Sequence, residues 1–158
     1  MKILEITRSR DKQRIARQVL EGLTDWFEVE ESREGYIRDC ADWLFFAAME
    51  GEEPLGFLCL KETGDATVEL AVMGVRRDFH RQGAGRQLVQ AARERARELG
   101  YEFFQVKTVA MGKYPDYDDT NRFYRSVGFR EFEVFPLLWD EANPCQVYVM
   151  SLNKEETL

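Results

Sequence analysis

No apolar run in this sequence approaches the roughly 18 residues that a membrane-spanning helix needs. The N-terminal stretch MKILEITRSRDKQR also lacks the apolar core of a secretory signal. The expectation is a cytoplasmic chain with no membrane partner. Cysteine is scarce: Cys40, Cys59 and Cys145 stand far apart, with no Cys-x-x-Cys spacing, so neither a disulfide framework nor a zinc site is expected and no metal is called for. A basic excess is missing too. With 22 basic and 29 acidic side chains the net charge is −7, which argues against a general nucleic-acid binder, whose phosphate contacts need a basic face. The chain shows no internal repeat and no linker rich in Pro, Gly or Ser.

What is present suits a folded globule. A length of 158 residues, 44% of them hydrophobic, fits one compact domain, expected over residues 1–153, with a flexible tail over 154–158. Lys2 to Thr7 alternate as a strand, followed by a helix whose Ile15, Val19, Leu20 and Leu23 share one face. A shorter helix is expected from about Ser32 to Cys40. DWLFFAAME, PLGFLCLKE and TVELAVMGV read as three hairpin-linked strands. From Ala84 to Leu99 the residues Leu88, Val89, Ala92, Ala96 and Leu99 form one apolar stripe, and Gly100 stops the helix. YEFFQVKTV is the next strand. DDTNRFYRSVGF then reads as a short helix, with Asp118 or Asp119 as N-cap, Gly128 as left-handed cap, and Phe123 and Val127 as its core pair; QVYVMSL closes the chain. The order βα(α)βββαβαββ predicts an α+β fold: a mixed sheet of about seven strands with helices on both faces.

The arginines cluster between Arg76 and Arg97, around GVRRDFHRQGAGRQL. An acidic body with one basic stretch fits a small anionic ligand better than a polymer. Gly83 and Gly85 stand where a strand ends and a helix begins. A P-loop would need Lys-Ser or Lys-Thr after the glycines, and a dinucleotide fingerprint would need a third glycine where Leu88 stands. What remains is either a plain turn or a loop whose backbone N–H groups, at the helix start, point at a pyrophosphate.

The stretch VRRDFHRQGAGRQLV resembles the acetyl-CoA loop of the GCN5-related N-acetyltransferase (GNAT) superfamily, whose core is Gln/Arg-x-x-Gly-x-Gly/Ala. His80 stands in the first position, where the family more often has Arg or Gln. NRFYRSVGF resembles the family's Asn-x-x-Phe-Tyr-x-x-x-Gly-Phe segment. The resemblance spans Lys2 to Leu152, is strongest from Glu69 to Phe129, and implies a splayed sheet. In it pantetheine enters between the strand ending at Val75 and the strand beginning near Glu102. It also implies that Met73, Gly74 and Val75 offer backbone groups to pantetheine. His80, Arg81, Gln82, Gly83, Ala84 and Gly85 would face the pyrophosphate, with Arg86 either near a phosphate or on a solvated face.

Acetyl transfer to an amine meets one large obstacle. An amine with a pKa near 10.4 is mostly protonated, and exposing its lone pair at pH 7 costs roughly 4.6 kcal/mol, so a base is wanted. The resemblance places a catalytic glutamate at Glu69, on the same strand face as Ala71 and Met73. Burial among apolar neighbours would raise its pKa, while an edge-facing or salt-bridged glutamate is the other reading. The resemblance assigns Tyr124 to protonating the departing thiolate and Asn121 to a cofactor hydrogen bond. His80, the only histidine, would face phosphates instead of moving protons. MGKYPDYDDTN and FPLLWDEANPC read as loops; Tyr114, Tyr117 and Trp139, with Asp116, Asp118 or Asp140, are candidate walls for a cationic amine.

The expected function is acetyl transfer from acetyl-CoA directly to a primary amine, on a small molecule or a peptide. The alternative is a non-catalytic acyl-CoA sensor or interaction domain. The oligomeric state stays open, with a homodimer among the options.

Overall fold

The structure is a computed structural model and describes residues 1–23, 29–77 and 83–153. Its strands are β1 (Lys2–Ile6), β2 (Leu44–Glu50), β3 (Glu53–Gly64), β4 (Thr67–Val75), β5 (Phe103–Val109), β6 (Arg130–Asp140) and β7 (Asn143–Ser151). The helices are α1 (Ser9–Glu21), α2 (Glu30–Asp39), which runs into a 3-10 turn, α3 (Ala84–Glu98) and α4 (Pro115–Ser126). The strands follow the order β1-β2-β3-β4-β5-β7-β6. The β4–β5 pair is parallel, while β1–β2, β2–β3, β5–β7 and β6–β7 are antiparallel. This is the mixed α+β sheet that the sequence predicts. Among the described residues no helix is long and apolar enough to cross a membrane.

The chain forms two compact units, and β4 contributes to both. In the first, Met1–Lys61 with Ala71–Arg95, the i, i+4, i+5 spacing of Ile15, Val19 and Leu20 buries one stripe of α1 against Phe45, Ala47, Phe57 and Val72. The Phe45 and Phe57 rings stack at 5.2 Å. Lys12, 8% exposed, reaches under this layer, and its ammonium donates to the Ala41 and Trp43 carbonyls at 3.3 and 2.7 Å. Those bonds replace the water that a buried charge would otherwise miss.

The second unit, Glu62–Leu70 with Ala96–Leu158, packs Phe104 edge-on against Phe129 at 4.9 Å, with Tyr148 fully buried on the same side. Its helix α4 ends in two C-terminal bonds. Gly128 donates to the Arg125 carbonyl and Phe129 to the Tyr124 carbonyl, a reversal that needs the left-handed backbone of Gly128, φ +108.

Several expectations need correction here. Leu99 is 46% exposed, because α3 ends at Glu98 and Leu99 falls in the turn before Gly100. Helix α2 starts at Glu30, ahead of the expected Ser32. Helix α4 starts at Pro115, where a proline costs nothing because its missing N–H would have no helical acceptor. Asp118 is therefore inside the first turn, where it accepts a hydrogen bond from the Gly112 amide at 2.8 Å instead of capping. Asn121 and Tyr124 are the buried face of α4, whereas Phe123 and Val127 are only half-buried. FPLLWDEANPC is a hairpin formed by the ends of β6 and β7, not a loop.

Candidate active site

In β4 the residues Thr67, Glu69, Ala71, Met73 and Val75 are half-buried, and Val68, Leu70, Val72 and Gly74 between them are buried. The period-two pattern puts Glu69, Met73 and Val75 on one face, as the sequence predicts. Gly74 faces the other way. A Cβ there would meet Val19, Leu23 and Phe57 at 3.1–3.4 Å, so close packing sets this glycine. The parallel ladder with β5 comprises Thr67↔Phe103, Val68↔Phe104 and Glu69↔Gln105, although β4 runs to Val75 and β5 to Val109.

Glu69 does not stand alone in an apolar strand. Lys107 Nζ lies 2.8 Å from Glu69 Oε1, with the two side chains 33% and 14% exposed, and the salt-bridged reading of this glutamate is the one the structure shows. Oε2 has no further partner among the described residues. Cys145, fully buried, lies close enough to feel both charges. Burial pushes its thiol pKa up, and Lys107 opposes the shift, which keeps the sulfur protonated and a poor nucleophile.

On α4, Tyr117, Asn121 and Tyr124 recur at i, i+4 and i+7 and so share a face. Asn121 is fully buried. Its Nδ2 donates to the Val109 and Tyr117 carbonyls at 2.8 and 2.7 Å, and its Oδ1 accepts from the Tyr148 hydroxyl at 2.5 Å. Both Nδ2 hydrogens are used in fastening α4 to the sheet, and the second lone pair of Oδ1 is what remains for the ligand hydrogen bond that the resemblance implies. Tyr124 differs. Its ring packs against Phe129 and Tyr148 and the residue is 7% exposed, yet its hydroxyl has no hydrogen-bond partner among the described residues and is not sealed off from solvent. Burial drives the phenol pKa well above its ordinary value, with Tyr117 and Tyr148 adding to the shift. Tyr114 and Tyr117 meet edge-on at 5.8 Å. Burial raises the Tyr117 pKa as well, followed by Tyr114 and Asp116. Trp139 sits on β6, 47% exposed, and no ring contact joins it to that pair. Asp140 accepts from the Asn143 amide and side chain and closes the β6–β7 turn.

Glu69 and Tyr124 lie on opposite faces of this part of the sheet. Glu69 is level with Gln105, whereas Tyr124 packs through Phe129 onto Phe104, the adjacent residue of opposite facing. A carboxylate and a phenol so divided can serve one reacting centre only if it lies at the level of the sheet itself.

At the start of α3, Gly83 has φ +84, a left-handed conformation that glycine adopts without strain. The first helical bond runs from the Gln87 amide to the Gly83 carbonyl at 3.0 Å. The amides of Ala84 and Gly85 come before that ladder, in the turn where helix N–H groups point outward. A diphosphate fits such a turn by charge and donor set. Arg86 is exposed beside it. His80, Arg81 and Gln82 lie outside the described residues, as does the tail 154–158.

Lys107 and Tyr148 escaped the sequence reading. Lys107 had a signal, a lone charge in the apolar strand FFQVKTV like Glu69 in its own strand; Tyr148 had none.

The sequence profile of the Acetyltransferase (GNAT) family matches residues 9–129. A comparison with curated proteins finds no match. Among solved structures, a protein from Desulfovibrio desulfuricans assigned to the GNAT family superposes with a TM-score of 0.84 at 19% identity, over 96% of this chain and 99% of that one. An aminoglycoside 6'-acetyltransferase type Ii gives 0.82 at 17%, over 99% and 100%. An aminoglycoside 6'-N-acetyltransferase in complex with coenzyme A gives 0.76 at 16%, again over 99% and 100%. At these identities the likeness is one of fold.

Proposed function

The chain belongs to the GNAT acetyltransferase family, and from that premise we propose that it transfers the acetyl group of acetyl-CoA directly to a primary amine. The observation that carries the reading is the pair of side chains on opposite faces of the sheet beside the short β4–β5 ladder: the anchored carboxylate of Glu69 and the unbonded hydroxyl of Tyr124. Acetyl-CoA supplies the activated thioester. The outward amides of Ala84 and Gly85, with the Gly83 turn, receive its diphosphate, and Arg86 adds positive charge nearby. Backbone groups of Met73 to Val75 align the pantetheine and polarise the acetyl carbonyl.

Lys107 holds Oε1 of Glu69, which leaves Oε2 to take the ammonium proton directly or through one water. Tyr124 keeps its proton across the physiological range, because its pKa is shifted upward. Full donation to a thiolate with a pKa near 8.5 is uphill, so the phenol stabilises the departing sulfur chiefly by a hydrogen bond. Asn121 acts through position: it fixes the register of α4 on β5 and thereby the place of Tyr124. Tyr114 and Tyr117 offer aromatic faces to a cationic acceptor, a small molecule or a peptide amine. No cysteine takes part, since the three thiols are buried.

Thiol release during incubation with acetyl-CoA and a panel of small amines and peptides tests the reading. Saturable release with one class of amine is the expected result. Calorimetric binding of acetyl-CoA with no release across the panel would support the sensor and end the catalytic proposal. Tyr124→Phe should lower kcat by about 10²-fold and shift stability by no more than about 0.5 kcal/mol, since the hydroxyl makes no internal bond; kinetics and a thermal melt on one sample check both. Lys107→Met should lower kcat roughly tenfold with KM nearly constant, because it frees the carboxylate from its set orientation. A raised KM with unchanged kcat would move Lys107 to the binding side.

A further inference from the structure

Gln105 on β5 is level with Glu69 in the pair at which the β4–β5 ladder stops, so the two side chains leave neighbouring strands on the same face. Both are half-buried. The Gln105 amide is fastened: its Nε2 donates to Thr63 Oγ1 on β3 at 3.0 Å. Because β4 lies between β3 and β5, the side chain of Gln105 crosses over β4 beside Glu69. Thr63, Glu69, Gln105 and Lys107 all belong to the second compact unit. The two side chains are held in the same way. Glu69 has Oε1 held by Lys107 at 2.8 Å and Oε2 open. Gln105 has Nε2 held by Thr63, and its Oε1 has no partner among the described residues. Each is pinned at one atom and presents an acceptor oxygen with the other.

We propose that Gln105 Oε1 is a second hydrogen-bond acceptor for the attacking nitrogen, so that the ammonium of the acceptor bridges Glu69 and Gln105. The inference rests on the acetyl-transfer reading above and adds to it the residue that orients the nucleophile. Spacing supports it. Charge-assisted N–H···O bonds are about 2.8 Å long, and two of them diverging from a tetrahedral nitrogen end on oxygens about 4.6 Å apart. Neighbouring strands stand about 4.8 Å apart, so one ammonium fits between side chains that leave the sheet at the same level. Charge supports it as well: the two open atoms are both acceptors, and the nearest donor, the Lys107 ammonium, is engaged on the other oxygen of Glu69. A glutamine oxygen accepts an N–H and is too weak a base to take its proton. While Glu69 takes one proton of the ammonium, Gln105 keeps another N–H, and the nitrogen stays in place as its lone pair is freed. A second carboxylate at this position would compete for the proton and perturb the titration of Glu69. Thr63 acts through Gln105, as a positioning residue.

Steady-state kinetics of the full chain, with n-butylamine and with the panel amine that turns over fastest, tests this, since the contact is made to the nitrogen alone. Gln105→Leu should raise the acceptor KM by about 10–50-fold, the loss of one hydrogen bond to a charged group, with the KM for acetyl-CoA and the melting temperature retained. Gln105→Glu keeps an oxygen in the same place and should recover most of that acceptor KM. Thr63→Val should raise it roughly threefold by loosening the amide, and should add nothing in a chain that already carries Gln105→Leu. An acceptor KM that Gln105→Leu leaves within about twofold of wild type, with turnover intact, overturns this inference and leaves acetyl transfer standing. So does a loss shared by both KM values, or one that Gln105→Glu does not recover, either of which would make Gln105 a strap between strands. If the wild type releases no thiol with any amine, the acetyl-transfer reading falls first and this inference with it.

Discussion

Glu69→Gln should lower kcat/KM for amine acetylation by about 10²–10³-fold near pH 7, with acetyl-CoA affinity nearly unchanged. The amide keeps the shape of the side chain and loses its capacity to accept the ammonium proton. Its neighbour Lys107 is a third exposed, so water takes over the lost counter-charge and the fold shifts by no more than about 1 kcal/mol. The pH dependence separates a lost base from a distorted site. An amine with a pKa near 10.4 supplies its own free base as pH rises, so the gap between the two proteins should narrow steadily from pH 7 to pH 10. Rates that fall in parallel at every pH would show that Glu69 arranges the site without taking the proton. An unchanged rate throughout would remove it from the chemistry.

Asn121→Leu should cost about 3–5 kcal/mol, a large part of the stability of an ordinary domain. Three internal hydrogen bonds are lost at once, those with the Tyr148 hydroxyl and with the Val109 and Tyr117 carbonyls. Each buried polar group left without a partner costs about 1–3 kcal/mol. For a chain of this length the melting temperature should fall by roughly 10 °C. Tyr148→Phe removes the hydroxyl but leaves the amide fastened to two carbonyls, so its cost should be smaller. The double variant should cost less than the two single changes together, because they share one bond. A loss below about 1 kcal/mol in Asn121→Leu would mean that the buried bonds are not what secures α4.

The parts of the fold written in local periodicity were legible before any coordinates. The stripe of α3, the face of α1 and the alternation of β4 each repeat a short-range pattern that burial rewards directly. The expected loop MGKYPDYDDTN holds the first turn of α4, because Pro115 stands where its missing N–H has no helical acceptor to lose. The β6–β7 hairpin was misread because two irregularities and a proline erase the alternation that marks a strand. The site divides in the same way. Glu69 was visible as a charge among apolar residues, and Tyr124 through its motif. The Glu69–Lys107 pair was not, because it depends on which strand lies beside which. The motif gives Asn121, and only the distances to Val109, Tyr117 and Tyr148 reveal the three hydrogen bonds that it makes inside the fold.

The burial of all three thiols makes the turnover measurement simple. A chromogenic disulfide added to a working reaction meets no accessible sulfur on the native chain, so the colour it develops reads coenzyme turnover without a protein blank. In denaturant the same reagent titrates three equivalents and becomes a clock for unfolding.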